Sequence, residues 1–391
     1  MTRSSAAKGP EAYRLGRLPF VFSGSGACAD YLRDELASLR ELATGDASPV
    51  APLLAFHFVD ALPPLADYTA TRPVYATEGS FRVAYNGLTY DVGCPDHAGG
   101  AESATAALRV AVCAEDRGRR YRLLPAFYRA CDWNYLSVDE IHGKDFMYGV
   151  FDYLTHITQL SLGQSYIHAS SLERDGQGTA LVAWGGIGKT SAALKLITEH
   201  GFRFLSDDLG LVDDAGTIWR TPKRLQVYAY NLAGEERLRS MLLSGRSVLD
   251  RASWAWHLGR HGPKRARRRV SAEELFGSAS VACSAPLARA YCLERGDARD
   301  FEATRISTEE MCRRAAEVVM HEIEPFGLLS RALHSGHHHP ILPTQDQVVD
   351  ATRTVLERAF RGVPVWSIRI PLAAPPSALA GYLLRIFDRA E

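Results

Sequence analysis

The chain lacks most of the features that would place it in a specialised protein class. It has no excess of one charge: 45 Lys and Arg balance 45 Asp and Glu. Nothing global therefore draws it to nucleic acid or to an anionic membrane. No apolar run approaches the length of a membrane span, and the N-terminal stretch lacks the basic, apolar and cleavage regions of a secretory signal. Seven cysteines are scattered without C-x-x-C spacing, which argues against a zinc knuckle and a disulfide framework. What is left is the composition of a cytoplasmic globular protein. Its 391 residues, 46% of them hydrophobic, suffice for two domains.

What is present is concentrated in residues 167–212. Residues 179–183 (T-A-L-V-A) are a short apolar run suited to a buried strand. A glycine-rich turn follows, with Gly185, Gly186, Ile187 and Gly188, and then Lys189, Thr190 and Ser191. From 191 to 200 apolar residues recur at helical spacing (Ala193, Leu194, Ile197), and Gly201 suits a helix end. Strand, glycine loop ending in Lys-Thr, and helix form the context of a phosphate-binding P-loop. The glycines let successive N–H groups turn toward phosphate oxygens, and the positive end of the helix adds to them. Lys189 can then reach the outer phosphates of ATP, and the Thr190 hydroxyl can hold Mg²⁺. Ala183 stands where the consensus has its first glycine. Residues 202–205 predict a second strand, ending in Ser206-Asp207-Asp208. Two acids beside such a loop can hold Mg²⁺ and take a proton from an attacking hydroxyl.

The pattern H-x(19)-G-K-[ST], beginning at His168, resembles the HPr kinase/phosphorylase family. The segments I-H-A-S, D-G-Q-G, T-A-L-V-A, W-G-G-I-G-K-T and F-L-S-D-D follow in the order of that family's core. The resemblance implies a P-loop α/β kinase domain with a mixed sheet, using ATP and Mg²⁺. It implies that Asp208 deprotonates the acceptor hydroxyl, that Lys189 binds the β- and γ-phosphates, and that His168 pairs with the acidic site. Thr190 and Asp207 become the metal candidates. The helix here reads one residue longer than the family's, so the roles of Asp207 and Asp208 are open to exchange. A homo-oligomer is likewise left open. The family's downstream Glu-bearing signature is absent from 217–232, where Arg220, Lys223 and Arg224 occur instead. The acceptor implied is thus a hydroxyl-bearing peptide, protein or small molecule other than HPr, on a diverged member of the family.

Residues 1–145 read as an α+β domain for substrate or partner binding, ahead of the kinase-like domain at 146–391. A strand at 18–22, a helix at 29–42 and a strand at 52–59 enclose Gly24-x-Gly26-x-x-Ala29, which matches a dinucleotide fingerprint but reads as a plain strand–helix turn. Asn86-Gly87 signals a hairpin between 80–85 and 88–92, and 107–114 and 121–124 read as further strands. Helices are expected at 146–162, 231–249, 307–320, 345–360 and 377–389, with strands at 287–293 and, at a sheet edge, 364–370. The basic run at 260–269 reads either as a mobile loop or as a contact for an acidic partner; in a kinase it is the place for acidic substrate contacts. The histidines at 334, 337, 338 and 339 read as a polar loop.

The leading expectation is a kinase that phosphorylates a hydroxyl, serine foremost. The alternative is a nucleotide-binding switch or scaffold with slow or no turnover. A plain P-loop hydrolase fits less well, because the acid pair follows the loop so closely.

Overall fold

The structure is a computed structural model that describes residues 8–43, 52–62, 64, 69–71, 74–76, 80–85, 88–93, 108–114, 138–337 and 342–387. The chain is mixed α/β with two mixed sheets and divides into two compact units, 1–162 with 323–351, and 163–322 with 352–391.

The first unit carries β1 (Lys8–Leu15), β2 (Leu18–Gly24), α1 (Ala27–Glu35), α2 (Ala37–Ala43), β3 (Leu54–Phe58), β4 (Thr69–Thr71), β5 (Val74–Ala76), β6 (Ser80–Tyr85), β7 (Leu88–Gly93) and β8 (Leu108–Ala114). α3 (Val138–Asp145) runs through one π-helical stretch (Phe146–Phe151) into α4 (Asp152–Ser161). The expected helix at 146–162 is therefore the second half of a longer one. The sheet order is β1-β2-β3-β8-β7-β6-β5-β4, with β2, β3 and β8 parallel. Alternation along β2 buries Leu18, Phe20 and Phe22 on one face. Phe20 and Phe56 pack against Phe151, and Phe56, Phe58 and Tyr90 against Phe146. Each buried ring contributes about 1.5–3 kcal/mol.

The Gly24–Gly26 turn joins β2 to α1. Gly24 is left-handed at φ 116°, and a Cβ there would meet the carbonyl oxygen of Phe58 at 2.4 Å. Arg33 closes the turn by donating to the Gly24 carbonyl at 2.5 Å. Tyr85 pairs with Leu88 across the expected hairpin, while Asn86 and Gly87, like the strand expected at 121–124, lie outside the described residues.

The second unit opens with β9 (Gln164–Ile167), β10 (Ala169–Arg174), β11 (Gln177–Val182), α5 (Lys189–His200), β12 (Arg203–Ser206), β13 (Gly210–Asp213), β14 (Thr217–Trp219) and β15 (Leu225–Tyr228). It continues through a 3₁₀ turn (Ala229–Leu232), α6 (Glu236–Leu243), α7 (Val248–His261), β16 (Arg267–Val270), α8 (Ala272–Phe276), β17 (Ser284–Gly296), β18 (Glu302–Arg305) and α9 (Thr308–Glu322). α10 (Glu324–His337) and the start of α11 (Gln345–Ala359) belong to the first unit; β19 (Val365–Pro371) and α12 (Ala378–Phe387) complete the second.

The sheet runs β12-β10-β11-β17-β14-β13-β9, and β19 lies between β17 and β18. Residues 364–370 thus do not form an edge strand, because β18 pairs outside them. The helix expected over 231–249 is broken into three pieces, since Gly234 and Gly245 adopt φ of 77° and 71° that no helix continues through. The basic run is not a loop throughout: 267–270 form β16, paired with β15. Of the histidines expected in a loop, His334 and His337 lie on α10, and His338 and His339 fall outside the described residues. Ile167, Val182, Leu205, Ile218, Ala290 and Phe360 share the core under α9, whose Met311, Cys312 and Ala315 face it.

Candidate functional site

The two chain segments 164–174 and 203–213 lie antiparallel, in one register from Gln164–Asp213 to Ser171–Ser206 and slipped by one residue beyond Ser171. Ile167 opposes Gly210 on one side, and Ser171 opposes Ser206 on the other. Between them the ladder opens, at 168–170 and 207–209, and these positions hold His168, Asp207 and Asp208. Asp208 takes φ 72°, a left-handed conformation rare outside glycine. Its side chain lines a cavity.

β11 leads into the glycine loop beside this opening. Gly186 and Gly188 are left-handed, at φ 78° and 115°, and a Cβ at Gly186 would touch nothing. Backbone conformation, not crowding, is what demands glycine at Gly186. Gly188 begins α5 without a side-chain cap, leaving the helix's first N–H groups to another acceptor. Arg295 ties the loop down by donating to the carbonyls of Ile187 (3.2 Å), Leu372 (3.1 Å) and Ala374 (3.1 Å).

Loop and opening face one cavity of about 800 Å³, within the range of small-molecule sites. His168, Gly185, Gly186, Lys189, Thr190, Asp207 and Asp208 line it. Among the remaining residues expected at the site, Ile187 contributes its carbonyl to Arg295, Gly188 caps α5, and Ser191 accepts a 2.6 Å hydrogen bond from Asn231.

Lys189, only 6% exposed, donates to Nε2 of His168 at 2.5 Å and to the Ala183 carbonyl at 3.2 Å. Burial lowers its ammonium's pKa, against the pull of Asp207, Asp208 and Glu322. Asp207 accepts from Ser170 and, at 3.0–3.1 Å, from Thr190. Burial raises its carboxyl despite Lys189. Asp208 goes the other way. Burial would raise it, but Lys223 (3.8 Å), His168 (3.7 Å), Lys189 and Arg267 together outweigh burial and hold it low. The two neighbouring acids are thus separated in proton affinity, which suits different tasks.

Hydroxyl and carboxylate oxygens at Thr190 and Asp207 form the kind of donor set a hard cation such as Mg²⁺ takes. A second group is His168, Asp208 and Glu322, whose ligand atoms lie within 4.8 Å of one another. Glu322 Oε1 is 2.9 Å from His168 Nδ1, at ion-pair distance but without hydrogen-bond alignment.

Sequence reasoning missed Glu322, Arg295, Gln226, Tyr228 and Tyr230, all of which line the cavity. No local signal marks Glu322; it arrives at the C-terminus of α9, which Ser307 starts by accepting from the Glu310 N–H. Of the basic residues at 220–224, Arg224 lines the cavity and Lys223 faces Asp208, while Arg220 pairs with Glu273. Lys264 also lines the cavity. Among the described residues no helix is long and apolar enough to cross a membrane.

No family model and no curated protein matches this chain. A solved structure, the Hpr(Ser) kinase/phosphatase from Coxiella burnetii, is similar over 58% of this chain and 98% of that one, at 12% identity and a TM-score of 0.28.

Proposed function

We propose that the chain is an ATP- and Mg²⁺-dependent kinase that transfers the γ-phosphoryl group to a hydroxyl, serine foremost, of a peptide, protein or small molecule other than HPr. Residues 146–391 would carry the chemistry and 1–145 would bind substrate or partner. One observation carries this reading: the low-pKa carboxylate of Asp208 and the ammonium of Lys189 face the same cavity as an uncapped helix N-terminus behind a glycine loop.

Loop amides and Lys189 hold the phosphates. Asp208 takes the hydroxyl proton as the acceptor oxygen bonds to the γ-phosphorus. The bond to the bridging oxygen breaks, and ADP leaves with its electron pair. Bound Mg²⁺ would neutralise phosphate charge, and Thr190 and Asp207 are the residues that would hold it. Phosphoryl transfer of this kind needs positioning and charge neutralisation more than covalent chemistry.

One observation favours a nucleotide-binding switch instead: Lys189 is engaged by His168 and Ala183 rather than open to a phosphate. Incubation with γ-labelled ATP and Mg²⁺ against free serine, threonine, small alcohols and serine peptides separates the two. Labelled acceptor is expected, reduced about 10²–10⁴-fold in Asp208→Asn as for loss of a general base. ATP binding with neither labelled acceptor nor phosphate would favour the switch.

A further inference from the structure

α7 turns an apolar face to solvent. Ser247 caps the helix by accepting from the Asp250 N–H at 3.2 Å, and Ser253, Trp254 and His257 are buried on its inner side. Asp250 also belongs to that side, where it holds Arg268 of β16 at 2.7 Å. The outer side carries Val248, Leu249, Ala252, Ala255, Trp256 and Gly259, which recur at three- and four-residue spacing along one stripe. Val248, Leu249 and Trp256 are 72%, 78% and 52% exposed. With Leu258 they make four of the seven large apolar side chains exposed among the described residues. Single exposed apolar residues are ordinary, but a cluster on one helix marks a surface made to be covered.

Charge says what covers it. Helix geometry puts Arg251 at one edge of the stripe and Arg260 at the other, and the stripe itself has no acid. Among the described residues neither arginine has an acid partner, and neither do Lys264 and Arg265 just beyond the helix. A second copy of this chain does not fit. Pairing α7 with itself antiparallel sets Arg251 against Arg260, and parallel pairing sets each arginine against its twin. A lipid surface does not fit either. Ala252, Ala255 and Gly259, half of the stripe, bury little in a bilayer but let a facing helix come close. The stripe also leads to the site: α7 ends at His261, and Lys264, three residues on, lines the cavity with Asp208.

From these observations, and resting on the kinase reading above, we infer that the acceptor is a peptide segment docked on the outer face of α7. It is an amphipathic helix whose apolar ridge is flanked by Asp or Glu, joined to the serine that enters the cavity. Its acids meet Arg251 and Arg260. Leu249 and Trp256 stand two turns apart with Ala252 low between them, a seat for one side chain of the ridge.

The test uses three synthetic peptides that carry one serine in a flexible tail. They share a helical Leu/Ala stripe, flanked by Glu, Gln or Lys, and the tail alone is the fourth probe. Fluorescence anisotropy without nucleotide reads docking, and γ-label transfer reads KM. The Glu-flanked peptide is expected to bind at least ~10-fold tighter than the Lys-flanked one at low salt, and to lower KM at least ~10-fold below that of the tail. Trp256→Ala should remove most of that gain with the KM for ATP unchanged. Arg251→Glu/Arg260→Glu, both at exposed positions, should favour the Lys flanks instead, which a misfolded protein would not do. Equal binding of all three flanks, or binding indifferent to Trp256→Ala, overturns the inference; label still reaching the tail then leaves the kinase reading intact. A wild-type dimer that Trp256→Ala splits in analytical ultracentrifugation assigns the face to a second copy and overturns the inference. Binding to phosphatidylserine vesicles in place of the peptides, lost in Trp256→Ala, assigns it to lipid and does the same. Docked peptide with neither label nor ADP removes the kinase reading and, with it, the peptide's role as acceptor.

Discussion

The carboxylate of Glu322 lies 2.9 Å from Nδ1 of His168, while Lys189 holds the other ring nitrogen, Nε2, at 2.5 Å. An ammonium can only donate, so Nε2 must offer its lone pair, and the ring proton sits on Nδ1 facing Glu322. Carboxylate, imidazole and ammonium thus form one line from the end of α9 to the start of α5.

This line predicts the response to acid. Burial would raise Glu322, but His168 and then Lys189 outweigh it and hold the carboxyl below its ordinary 4.5; Asp208 is held below 3.8. Both contribute stability that is complete above those ordinary values and lost as pH falls through the lower folded ones. Asp207, raised above 3.8 chiefly by burial, opposes them as pH rises through its folded value. Circular dichroism should show stability falling below about pH 4.5, and Glu322→Gln should flatten that fall. An unaltered acid transition in the variant would contradict the pairing.

Backbone strain at Asp208 should be measurable apart from chemistry. At φ 72° an alanine suffers the Cβ clash that glycine escapes. Denaturant titration should therefore find Asp208→Ala less stable than Asp208→Gly by about 1–2 kcal/mol, with both lacking transfer. Equal stabilities would mean the left-handed turn is not kept.

Gly210 borders the ladder's opening. A Cβ there would meet Ser206 Oγ at 2.7 Å and Ser171 Oγ at 3.1 Å, both on buried serines. Gly210→Ala should cost about 1–3 kcal/mol by overpacking, read as a drop in Tm.

Arg295→Met should act through the glycine loop. The three carbonyls at Ile187, Leu372 and Ala374 lose a cationic donor, and one such bond is worth about 1.5–3 kcal/mol. Titration calorimetry with ATP should show weaker binding, and a matching fall in Tm would place the loss in loop order.

Lys189→Ala should abolish nucleotide affinity or turnover. Asp207, Asp208 and Glu322 lose the ammonium that each of them feels, and phosphates would then meet three acids without it. Retained ATP binding in the same calorimetric titration would assign phosphate contact elsewhere.

Local order in the sequence was enough to read the strand–glycine loop–helix at 179–200 and the paired acids after it, because φ freedom, helix periodicity and strand length act over a few neighbouring residues. The breaks at Gly234 and Gly245 were missed because amphipathic spacing runs on across them, although each glycine takes a left-handed φ. Tertiary structure alone decided that β18 takes the sheet edge, that the basic run pairs with β15, and that Arg295 and Glu322 reach the cavity. Those outcomes depend on which strands pair and where a long helix ends over the sheet. Such contacts join residues far apart in the chain, and no local pattern carries that distance.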